Sequence, residues 1–469
     1  MKVLLANPPT FKNIGSFNRP IRFPTFNYAT PVLHPPLLLA YAASYLRSKG
    51  HEIFLLDPVV ERKAVDAFLE EITAINPQCI VFETSTPSFY NDAEVSKLIK
   101  SRLGAAKIIF LGPHVSALPE ESLTQEPLDA VVIGEYEISL EEYISKGPNG
   151  TKGIAYRADN GVIIRNENRE YLENLDLLPF PARDLLPNYK YFDPILKNPF
   201  TFILGGRGCP YKCIFCNWPQ VLTGRKYRLR SAKNITEEIK NIIQQYNFRS
   251  ILFNDDTFTA DKKHALEVCD EMINSGLKLD WACYARADDR GEDFLHKLRK
   301  AGCYLLKVGV ESGSQQILDN IKKGYTLSEV KQAISLMKKI GFHVHATFVF
   351  GLPGETKETI RETIDLAKRL NPTTVQFSSA VPFPGTKFYE ILSRENRLLT
   401  RDWSDFMPMQ PIFEYENLSA EEMKNSVGTA YRKFYFRPGY FITGLKEFFF
   451  QPRIFWANLT KLIRLLIQK

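Results

Sequence analysis

The sequence lacks several features that would place it in other classes of protein. It has no apolar run long enough to cross a bilayer, no internal repeat and no low-complexity tract, so no membrane-spanning helix is expected. Its seven cysteines are odd in number and mostly scattered, which disfavours a disulfide framework and favours a reducing cytoplasm. The amino-terminal MKVLLANPPT has neither the apolar segment nor the cleavage site of a signal peptide. We therefore expect a first β-strand there and a cytoplasmic location.

Net positive charge is also missing from most of the chain. The formal net charge is +7, and residues 431–469 alone carry eight Lys or Arg against one Glu. The remainder is therefore neutral in sum, and the basicity belongs to a tail rather than to a nucleic-acid surface. No nucleic-acid partner is expected. Since 469 residues exceed what one core usually organises, two or three domains are predicted.

Residues 1–145 alternate short β-branched runs with helical patterns, which predicts an α/β domain with a doubly wound, Rossmann-like sheet. Ligands of such sheets bind beyond the carboxyl ends of the strands. The fingerprint G-x-G-x-x-G is absent after the first strand, where Asn7-Pro8-Pro9 stands, so a nicotinamide cofactor is disfavoured. A sheet without a ligand is the plain alternative. The expected strands are residues 2–6, 52–57, 79–84, 107–112 and 130–134.

The rest of the chain divides into three further parts. Residues 146–199 contain a hairpin that turns at Asn160-Gly161, followed by a proline-rich linker. Residues 200–400 hold six more strands with helices between them, which predicts a partial (β/α)6 barrel with its site at the C-terminal face. Residues 401–469 are predicted to form a helical C-terminal region.

Three cysteines, Cys209, Cys213 and Cys216, share one loop at the end of the first barrel strand. Three thiolates could belong to a zinc site, but the sequence offers no convincing fourth ligand. The other four cysteines lie in helical or core-like stretches, where a free Cys is usually a small buried hydrophobe. A [4Fe–4S] cluster held by three cysteines would instead leave one iron open to a substrate.

The spacing C-x-x-x-C-x-x-C, with Phe215 before the last Cys, resembles the signature of the radical S-adenosylmethionine (SAM) enzymes. The resemblance covers roughly residues 200–390 and implies that SAM takes the open iron. It implies contacts to the SAM amino group from Asn254 or Asp255. A charge-assisted bond from Arg286 to the SAM carboxylate is also implied. Further implied contacts are Glu311 and Ser312 at the ribose and methionine portions and Gly351 of VFGLPGE at the adenine. Taken alone, each of these residues could equally be an ordinary polar residue at the end of a barrel strand or a helix cap.

The first domain has a resemblance of its own. GPHVSALPEE followed by DAVVIGEYE resembles the cobalamin-binding domain that precedes the barrel in many radical SAM enzymes. The cobalt-ligating D-x-H-x-x-G motif of other cobalamin proteins is absent, so His114 is not expected to ligate cobalt. The resemblance implies a cobalamin cofactor, and the strand-end residues that could contact it are Thr10, Thr84, Ser85, Gly112, His114, Gly134 and Glu135.

The group resembled includes class B radical SAM methyltransferases, hopanoid-modifying enzymes and the anaerobic magnesium-protoporphyrin ester cyclase. It implies reductive cleavage of SAM, using electrons from a donor such as flavodoxin or ferredoxin. It further implies methyl transfer to an unactivated carbon of a hydrophobic small molecule. Within the same chemistry, a cyclase or rearrangement enzyme without net methylation is the alternative. A cofactor-binding sensor is the alternative from another class, although no output module such as a helix-turn-helix is recognised.

The C-terminal tail combines charge with aromatic residues. Residues 431–469 contain eleven aromatics, among them Phe448-Phe449-Phe450 and Trp456, and their last stretch has apolar residues at helical spacing. A basic amphipathic helix with such aromatics is typical of segments that lie on the surface of an anionic membrane. The tail therefore predicts peripheral association with the inner membrane, and packing against the barrel is the equally weighted alternative.

Overall fold

The computed structural model describes residues 1–11, 17–19, 24–26, 32–125 and 127–437. Within these ranges no helix combines the length and apolarity needed to cross a bilayer. The tail predictions at Phe448–Phe450 and Trp456 lie outside the described residues.

The first domain is built on a twisted α/β sheet of order β4-β1-β5-β6-β7-β8-β9, parallel from β4 to β7 and antiparallel thereafter. Its strands are β1 Lys2–Ala6, β2 Phe17–Asn18, β3 Thr25–Phe26, β4 Glu52–Leu56, β5 Cys79–Glu83, β6 Lys107–Leu111, β7 Ala130–Val132, β8 Ile154–Arg157 and β9 Ile163–Arg165. Strands β2 and β3 form a separate two-stranded pair.

Helices cover both faces of this sheet, as its buried strands require. They are α1 Leu37–Ser48, α2 Val65–Ile75, α3 Phe89–Arg102, α4 Pro113–Ala117, α5 Pro119–Ser122 and α6 Glu137–Lys146, with a 3-10 turn at Thr86–Ser88. The five strands predicted for residues 2–134 are confirmed, each within two residues. The predicted hairpin exists as β8 and β9, but it extends the first sheet rather than standing in a linker. Ile154 and Ala155 of β8 explain this, because they point to opposite faces of the sheet and are both buried, in the apolar cores on its two sides.

The second domain is a parallel sheet whose six strands follow chain order, β10-β13-β14-β15-β16-β17, as predicted for a partial barrel. Its strands are β10 Phe200–Ile203, β11 Gly206–Arg207, β12 Arg228–Leu229, β13 Ser250–Phe253, β14 Asp280–Ala285, β15 Cys303–Glu311, β16 His343–Phe350 and β17 Thr374–Ser379. Strands β11 and β12 form a small antiparallel pair beside the cysteine loop.

Helices pack on the outside of the six strands. They are α7 Trp218–Val221, α8 Ala232–Gln245, α9 Lys262–Asn274, α10 Glu292–Lys300, α11 Gln315–Asn320, α12 Leu327–Ile340, α13 Lys357–Leu370, α14 Lys387–Arg394 and α15 Ala420–Tyr435. Short 3-10 turns lie at Leu175–Leu177, Arg183–Leu185, Asn188–Lys190, Phe258–Ala260 and Trp403–Asp405. Alternate strand residues such as Cys283, Val308 and Ala346 face these helices in one core.

The two domains are joined by buried ion pairs at the carboxyl end of β7. Glu135 accepts a bidentate pair of hydrogen bonds from Arg228, at 2.7 and 2.9 Å. Glu137 accepts from Arg207 at 2.6 and 3.2 Å. Two-pronged arginine–carboxylate bonds fix orientation as well as proximity. The carboxyl ends of the two sheets are therefore held close to one another.

Candidate active site

The loop that carries the three cysteines is tied to the body of the barrel at both ends. Gly208 adopts a φ of +92°, and a Cβ there would lie 2.2 Å from the Lys226 carbonyl oxygen. Only glycine fits such a position. Further along, the Ile214 amide donates to the Ile321 carbonyl at 3.2 Å. The Gln220 side-chain amide donates to the Cys216 carbonyl at 2.7 Å.

The three thiols suit an iron–sulfur cluster. None of the three forms a disulfide bond, and Cys209 and Cys213 are buried while Cys216 is half-buried. Burial raises the pKa of the Cys209 thiol, and the nearby charge of Asp256 adds to the effect, while hydrogen bonds from the Tyr211 amide and Thr257 partly offset it. Iron binding would reverse it, because a coordinating thiol is deprotonated. In the described residues no three His, Cys, Asp or Glu side chains gather around one ion position. A cluster does not need that arrangement, since each cysteine binds a different iron.

Arg286, predicted to bind the SAM carboxylate, lies against Tyr211 of the cysteine loop. Its guanidinium carbon stands 3.9 Å from the ring centroid of Tyr211 and 5.0 Å from that of Tyr325. Asp288 accepts two hydrogen bonds from it, at 2.7 and 3.1 Å. Stacking and a carboxylate fork hold a guanidinium in one plane. The remaining donor edge of Arg286 is thereby fixed beside the cluster loop.

Glu311 is brought to the same place and has a partner that sequence reasoning missed. The Lys323 ammonium donates to its Oε1 at 2.6 Å, and both side chains are mostly buried. Glu311 has a φ of +67°, unusual for a residue with a Cβ. A Cβ at position 309 would lie 2.2 Å from Glu311 Oε1, so Gly309 makes room for the folded-back carboxylate.

Lys323 also lies close to the thiols. Its ammonium stands 6.0 Å from the ring centroid of Phe215, the aromatic residue between Cys213 and Cys216. Burial disfavours its charge, but the carboxylate of Glu311 outweighs this and raises the pKa of Lys323 well above its usual value. Lys323 therefore brings a cation, held by Glu311, to the cysteine loop. Sequence reasoning missed Lys323, because a lysine in IKKGYT resembles an ordinary exposed loop residue.

Two predicted SAM contacts are engaged inside the protein. The Asp255 carboxylate accepts from the Gly205 amide at 2.9 Å and from the Tyr227 hydroxyl at 2.7 Å. The Ser312 hydroxyl lies 3.2 Å from Thr363 Oγ1 and accepts from the Ser314 amide at 3.2 Å. Both side chains hold the strand ends in shape. Asn254, the other amino-group candidate, is buried beside Asp255.

Gly351 stands at the carboxyl end of β16, in the predicted adenine motif. It has a φ of +84°, and a Cβ there would lie 2.6 Å from Met423 Sδ on α15. The Tyr415 hydroxyl donates to its carbonyl at 3.1 Å. The turn is therefore packed against the C-terminal helix, which supports its shape.

The carboxyl edge of the first sheet gathers the residues predicted to contact cobalamin. The Thr84 hydroxyl donates to Asp92 at 2.7 Å, and Ser85 shares a capping box with Ser88. Gly112 has a φ of +118°, and a Cβ there would lie 2.3 Å from the Thr84 carbonyl oxygen. The loops after β5 and β6 are thus in backbone contact. Thr10, after β1, is buried at the same edge.

This edge holds buried polar atoms that have no hydrogen-bond partner within the described part of the chain. They are Asn7 Oδ1, Glu83 Oε2, His114 Nε2, and Nε and Nη1 of Arg19. Buried polar atoms are normally satisfied, so such a group calls for an explanation. Cobalamin carries many amide groups that could donate to or accept from these atoms. The residues present therefore fit this cofactor.

His114 is enclosed rather than presented to solvent. Its ring lies 4.3 Å from that of Phe89 and 5.4 Å from that of Trp403, and its Nδ1 is 3.3 Å from Thr86 Oγ1. Burial lowers its pKa to about 3, so the ring is neutral. Trp403, from the C-terminal region, donates its indole N–H to Glu121 at 2.9 Å. Sequence reasoning missed the bond between Trp403 and Glu121 because the two residues are far apart in the chain.

Gly134 and Glu135 belong to the joint between the domains. The Gly134 amide donates to the Ser116 hydroxyl at 3.0 Å. Glu135 is engaged by Arg207 and Arg228, as described above. The joint places α4 against α7, the helix that begins two residues after Cys216. Gly385 lies beside both helices, because a Cβ at this position would contact Val221 of α7 and Ala117 of α4. The loops at the edge of the first sheet therefore reach the cluster loop.

Known protein families match both halves of this arrangement. The radical SAM superfamily matches residues 203–367, and the B12 binding domain matches residues 29–144. An uncharacterized methyltransferase of Pyrococcus horikoshii is 32% identical over 454 residues, covering 95% of each chain. The anaerobic magnesium-protoporphyrin IX monomethyl ester cyclase of Rubrivivax gelatinosus is 28% identical, covering 86% of this chain and 74% of the cyclase. The hopanoid C-3 methylase of Methylococcus capsulatus is 27% identical, covering 79% and 71%.

Solved structures share the fold. The cobalamin-dependent radical enzyme OxsB superposes with a TM-score of 0.72 at 17% identity, covering 92% of this chain and 65% of OxsB. The methyltransferase TsrM of Kitasatospora setae superposes with a TM-score of 0.68 at 19% identity, covering 94% and 86%. The partial barrel and the Rossmann-like domain are thereby confirmed. The chain belongs to the cobalamin-dependent radical SAM methyltransferase family, and it is an enzyme whose cofactors are a [4Fe–4S] cluster, SAM and cobalamin.

Proposed function

We propose that this enzyme methylates an unactivated carbon of a hydrophobic small molecule. The observation that carries the proposal is the contact of α4 with α7, through which the cobalamin edge of the first sheet meets the cluster loop. When bound, the cluster and SAM supply a hydrogen-abstracting radical and cobalamin supplies a methyl group. A methyl donor and a radical source on adjoining edges can act on one substrate carbon.

The chain's own residues would bind and orient these groups. Cys209, Cys213 and Cys216 would hold the cluster through thiolates. Arg286 and Lys323, both fixed by carboxylates, would bind the SAM carboxylate, and Asn254 its amino group. The unpartnered atoms at the first sheet, with Thr84, Ser85 and Gly112 shaping the loops, would hold cobalamin. These roles are supported by the positions of the residues and by their chemistry.

The test uses anaerobically reconstituted holoenzyme and SAM with a deuterated methyl group. We expect labelled methyl in enzyme-bound cobalamin and then in a compound from lipid extracts of a strain that lacks the gene. Label confined to a water-soluble compound would contradict the hydrophobic substrate. Absence of label from both cobalamin and product would contradict methyl transfer.

A second candidate is ring formation or rearrangement without net methylation. It is favoured by the match to the ester cyclase, which covers 86% of this chain. The same experiment separates the two candidates. A cyclase would alter the mass of its substrate without incorporating labelled methyl.

Electron supply and location complete the proposal. The reductant would be a low-potential flavodoxin or ferredoxin, and the basic tail would place the enzyme at the inner membrane surface, near a lipid-like substrate. Each Lys or Arg near an anionic surface contributes about 1 kcal/mol, and salt screens it. Full-length protein should therefore pellet with anionic vesicles at low salt, whereas a chain ending at Arg437, which keeps all of α15 with its buried Phe434 and Tyr435, should stay folded in the supernatant. If truncation unfolds the barrel and the intact protein ignores vesicles, the membrane proposal fails.

A further inference from the structure

The α11–α12 turn, residues 320–325, is held in one backbone conformation. At the end of α11 the Lys323 amide donates to the Leu318 carbonyl at 2.9 Å, and the Lys322 amide donates to the Asp319 carbonyl at 3.0 Å. This pair of bonds is a Schellman motif, in which glycine is the usual residue at the position of Lys322. Lys322 instead adopts a φ of +56°. A residue with a Cβ keeps such a conformation only where the surrounding structure fixes it, so neighbouring parts of the barrel must hold this turn.

The first two residues of the turn contact the cysteine loop and the adenine motif. The Ile321 carbonyl accepts a hydrogen bond from the Ile214 amide at 3.2 Å, and Ile321 is fully buried. The Asn320 side-chain amide donates to the Pro353 carbonyl at 2.9 Å. A Cβ at Gly354, whose φ is +87°, would lie 2.6 Å from the same amide nitrogen. Residues 320 and 321 therefore join the loop of the cluster cysteines to the turn that follows β16.

The last residue of the turn, Tyr325, contacts two further parts of the predicted SAM site. Its hydroxyl donates to the Gly309 carbonyl at 2.5 Å and lies 3.3 Å from the Val310 carbonyl oxygen. These two residues precede Glu311, whose backbone has a φ of +67°. The ring centroid of Tyr325 lies 5.0 Å from the guanidinium carbon of Arg286, and the tyrosine is 5% exposed. One buried side chain therefore contacts both the backbone that presents Glu311 and the cation expected at the SAM carboxylate.

The turn thus connects four segments that belong to four different strands of the barrel. They are the cysteine loop beyond β10, Arg286 after β14, the end of β15 with Glu311, and the adenine motif after β16. The backbone of the turn adds to the contact with Arg286, because Nη2 of the guanidinium donates to the Lys323 carbonyl at 3.4 Å. A ligand bound by groups from several strands needs those groups held within about 0.5 Å of one arrangement.

We propose that the α11–α12 turn positions the SAM-binding groups relative to one another, with Tyr325 as the positioning residue for Arg286 and Glu311. Neither Tyr325 nor Asn320 needs to touch SAM, because each acts through the groups that it holds. This inference rests on the proposed function, since it takes Arg286, Glu311 and the adenine motif as SAM contacts. It gives residues outside every predicted motif a part in binding the cofactor.

The test measures SAM binding to anaerobically reconstituted, full-length holoenzyme without a reductant, so that SAM is not cleaved. Tyr325→Phe removes the bonds to the two carbonyls but keeps the ring beside Arg286. We expect the dissociation constant for SAM to rise about ten-fold, the effect of one hydrogen bond, with the iron content unchanged. Tyr325→Leu, which also removes the ring, should raise the dissociation constant about five-fold further.

Tyr304→Phe is the matched control. Tyr304 is 4% exposed and lies at the amino end of β15, where its hydroxyl accepts a hydrogen bond from the Lys197 amide at 2.9 Å. Its loss should lower the free energy of unfolding much as the loss at Tyr325 does, because each variant removes a bond to a backbone group. It should leave the affinity for SAM unchanged.

The EPR spectrum of the reduced cluster gives a second measurement, with S-adenosylhomocysteine as a ligand that is not cleaved. Without ligand, Tyr325→Phe should have the wild-type spectrum. With saturating ligand its spectrum should differ from that of the wild type, because the amino-acid end of the ligand then meets the open iron in a different position. A tyrosine that only filled the core would alter neither spectrum.

Asn320→Ala tests the other end of the turn. It removes the bond to the Pro353 carbonyl from a half-buried position, so it should fold even if Tyr325→Phe does not, and it should weaken SAM binding. Unchanged SAM affinity in both variants would overturn the inference, and so would an equal weakening by Tyr304→Phe. Failure of the wild-type holoenzyme to bind SAM would contradict the proposed function itself, and this inference with it.

Discussion

The two edges where the cofactors would bind differ in whether their charged and buried polar groups have partners within the protein. At the barrel edge the charged side chains are paired within the protein: Arg286 with Asp288, and Lys323 with Glu311. At the first-sheet edge, buried atoms of Arg19, Glu83 and His114 have no partner among the described residues. Each unsatisfied buried group costs about 1–3 kcal/mol. The two cations beside the cysteine loop are therefore held in place without a cofactor, although Glu355 Oε2, Ser379 Oγ and Asn217 Oδ1 near that edge also lack a partner among the described residues. We expect the first-sheet edge to be completed by its ligand.

The largest effect should come from the barrel edge. Replacing Cys209, Cys213 and Cys216 together by Ala removes every thiolate of the loop, so reconstituted protein should hold no cluster. Iron and sulfide analysis, visible absorbance and SAM cleavage measure this, and all should fall to background. Cys269→Ala, at a buried cysteine of α9, is the control and should retain the cluster. Cleavage that survives in the triple variant would contradict the assignment of the loop.

The pair beneath the cluster should give the next largest effect. Lys323→Met leaves the buried Glu311 carboxylate without its partner, which typically costs about 3–5 kcal/mol. We expect a matching fall in the free energy of unfolding in urea and weaker SAM binding. Lys323→Arg keeps the charge and should retain most stability, and the Lys323→Met/Glu311→Gln double variant should recover part of it. Unchanged stability in Lys323→Met would show that the pair contributes nothing.

These two tests also mark what sequence could and could not predict. The strands and the cysteine loop were predictable, because alternating burial and ligand spacing are local properties of the chain. The Lys323–Glu311 pair was not, because it depends on a bulge after Gly309 that folds the carboxylate back. Nor were the internal bonds of Asp255 and Ser312, whose motif positions say nothing about where their oxygens point. The hydrogen bond from Trp403 to Glu121 was not predictable either, because it joins residues that are 282 positions apart in the chain.

The buried, incompletely paired Glu83 at the first-sheet edge should make the stability of the protein depend on pH. Burial raises the pKa of Glu83 to about 7 from an ordinary 4.5, partly offset by the Tyr136 hydroxyl. Between these values the folded protein holds a proton that the unfolded chain has lost, so stability falls as pH rises through this window. The loss is at most about 3 kcal/mol. Glu83→Gln should flatten this slope in denaturation measured from pH 5 to 8.

Asp57 complicates that measurement and also provides its control. Burial raises its pKa to about 6, so it contributes a smaller slope of the same sign at lower pH. Asp57→Asn should remove only that part. If Glu83 Oε2 receives a hydrogen bond from cobalamin, saturating cobalamin should lower the Glu83 pKa and flatten the slope of the wild type. A slope that cobalamin leaves unchanged would contradict the view that this edge is completed by its ligand.

The smallest effect is expected at His114, which lies at this edge. His114 is neutral, with a pKa of about 3, and a neutral imidazole with an unpartnered Nε2 is chemically able to bind cobalt. Against this, its ring is packed between Phe89 and Trp403. The D-x-H-x-x-G motif of ligating histidines is also missing.

We therefore expect Nε2 to meet a cobalamin amide instead, so that His114→Ala weakens cobalamin binding by about ten-fold, the equivalent of one hydrogen bond. The EPR spectrum of cob(II)alamin should keep the same axial pattern in this variant. Trp403→Phe, which removes the bond to Glu121 but keeps the packing, should change neither property of the cofactor by much. Loss of a nitrogen superhyperfine splitting in His114→Ala would instead make this histidine an axial ligand.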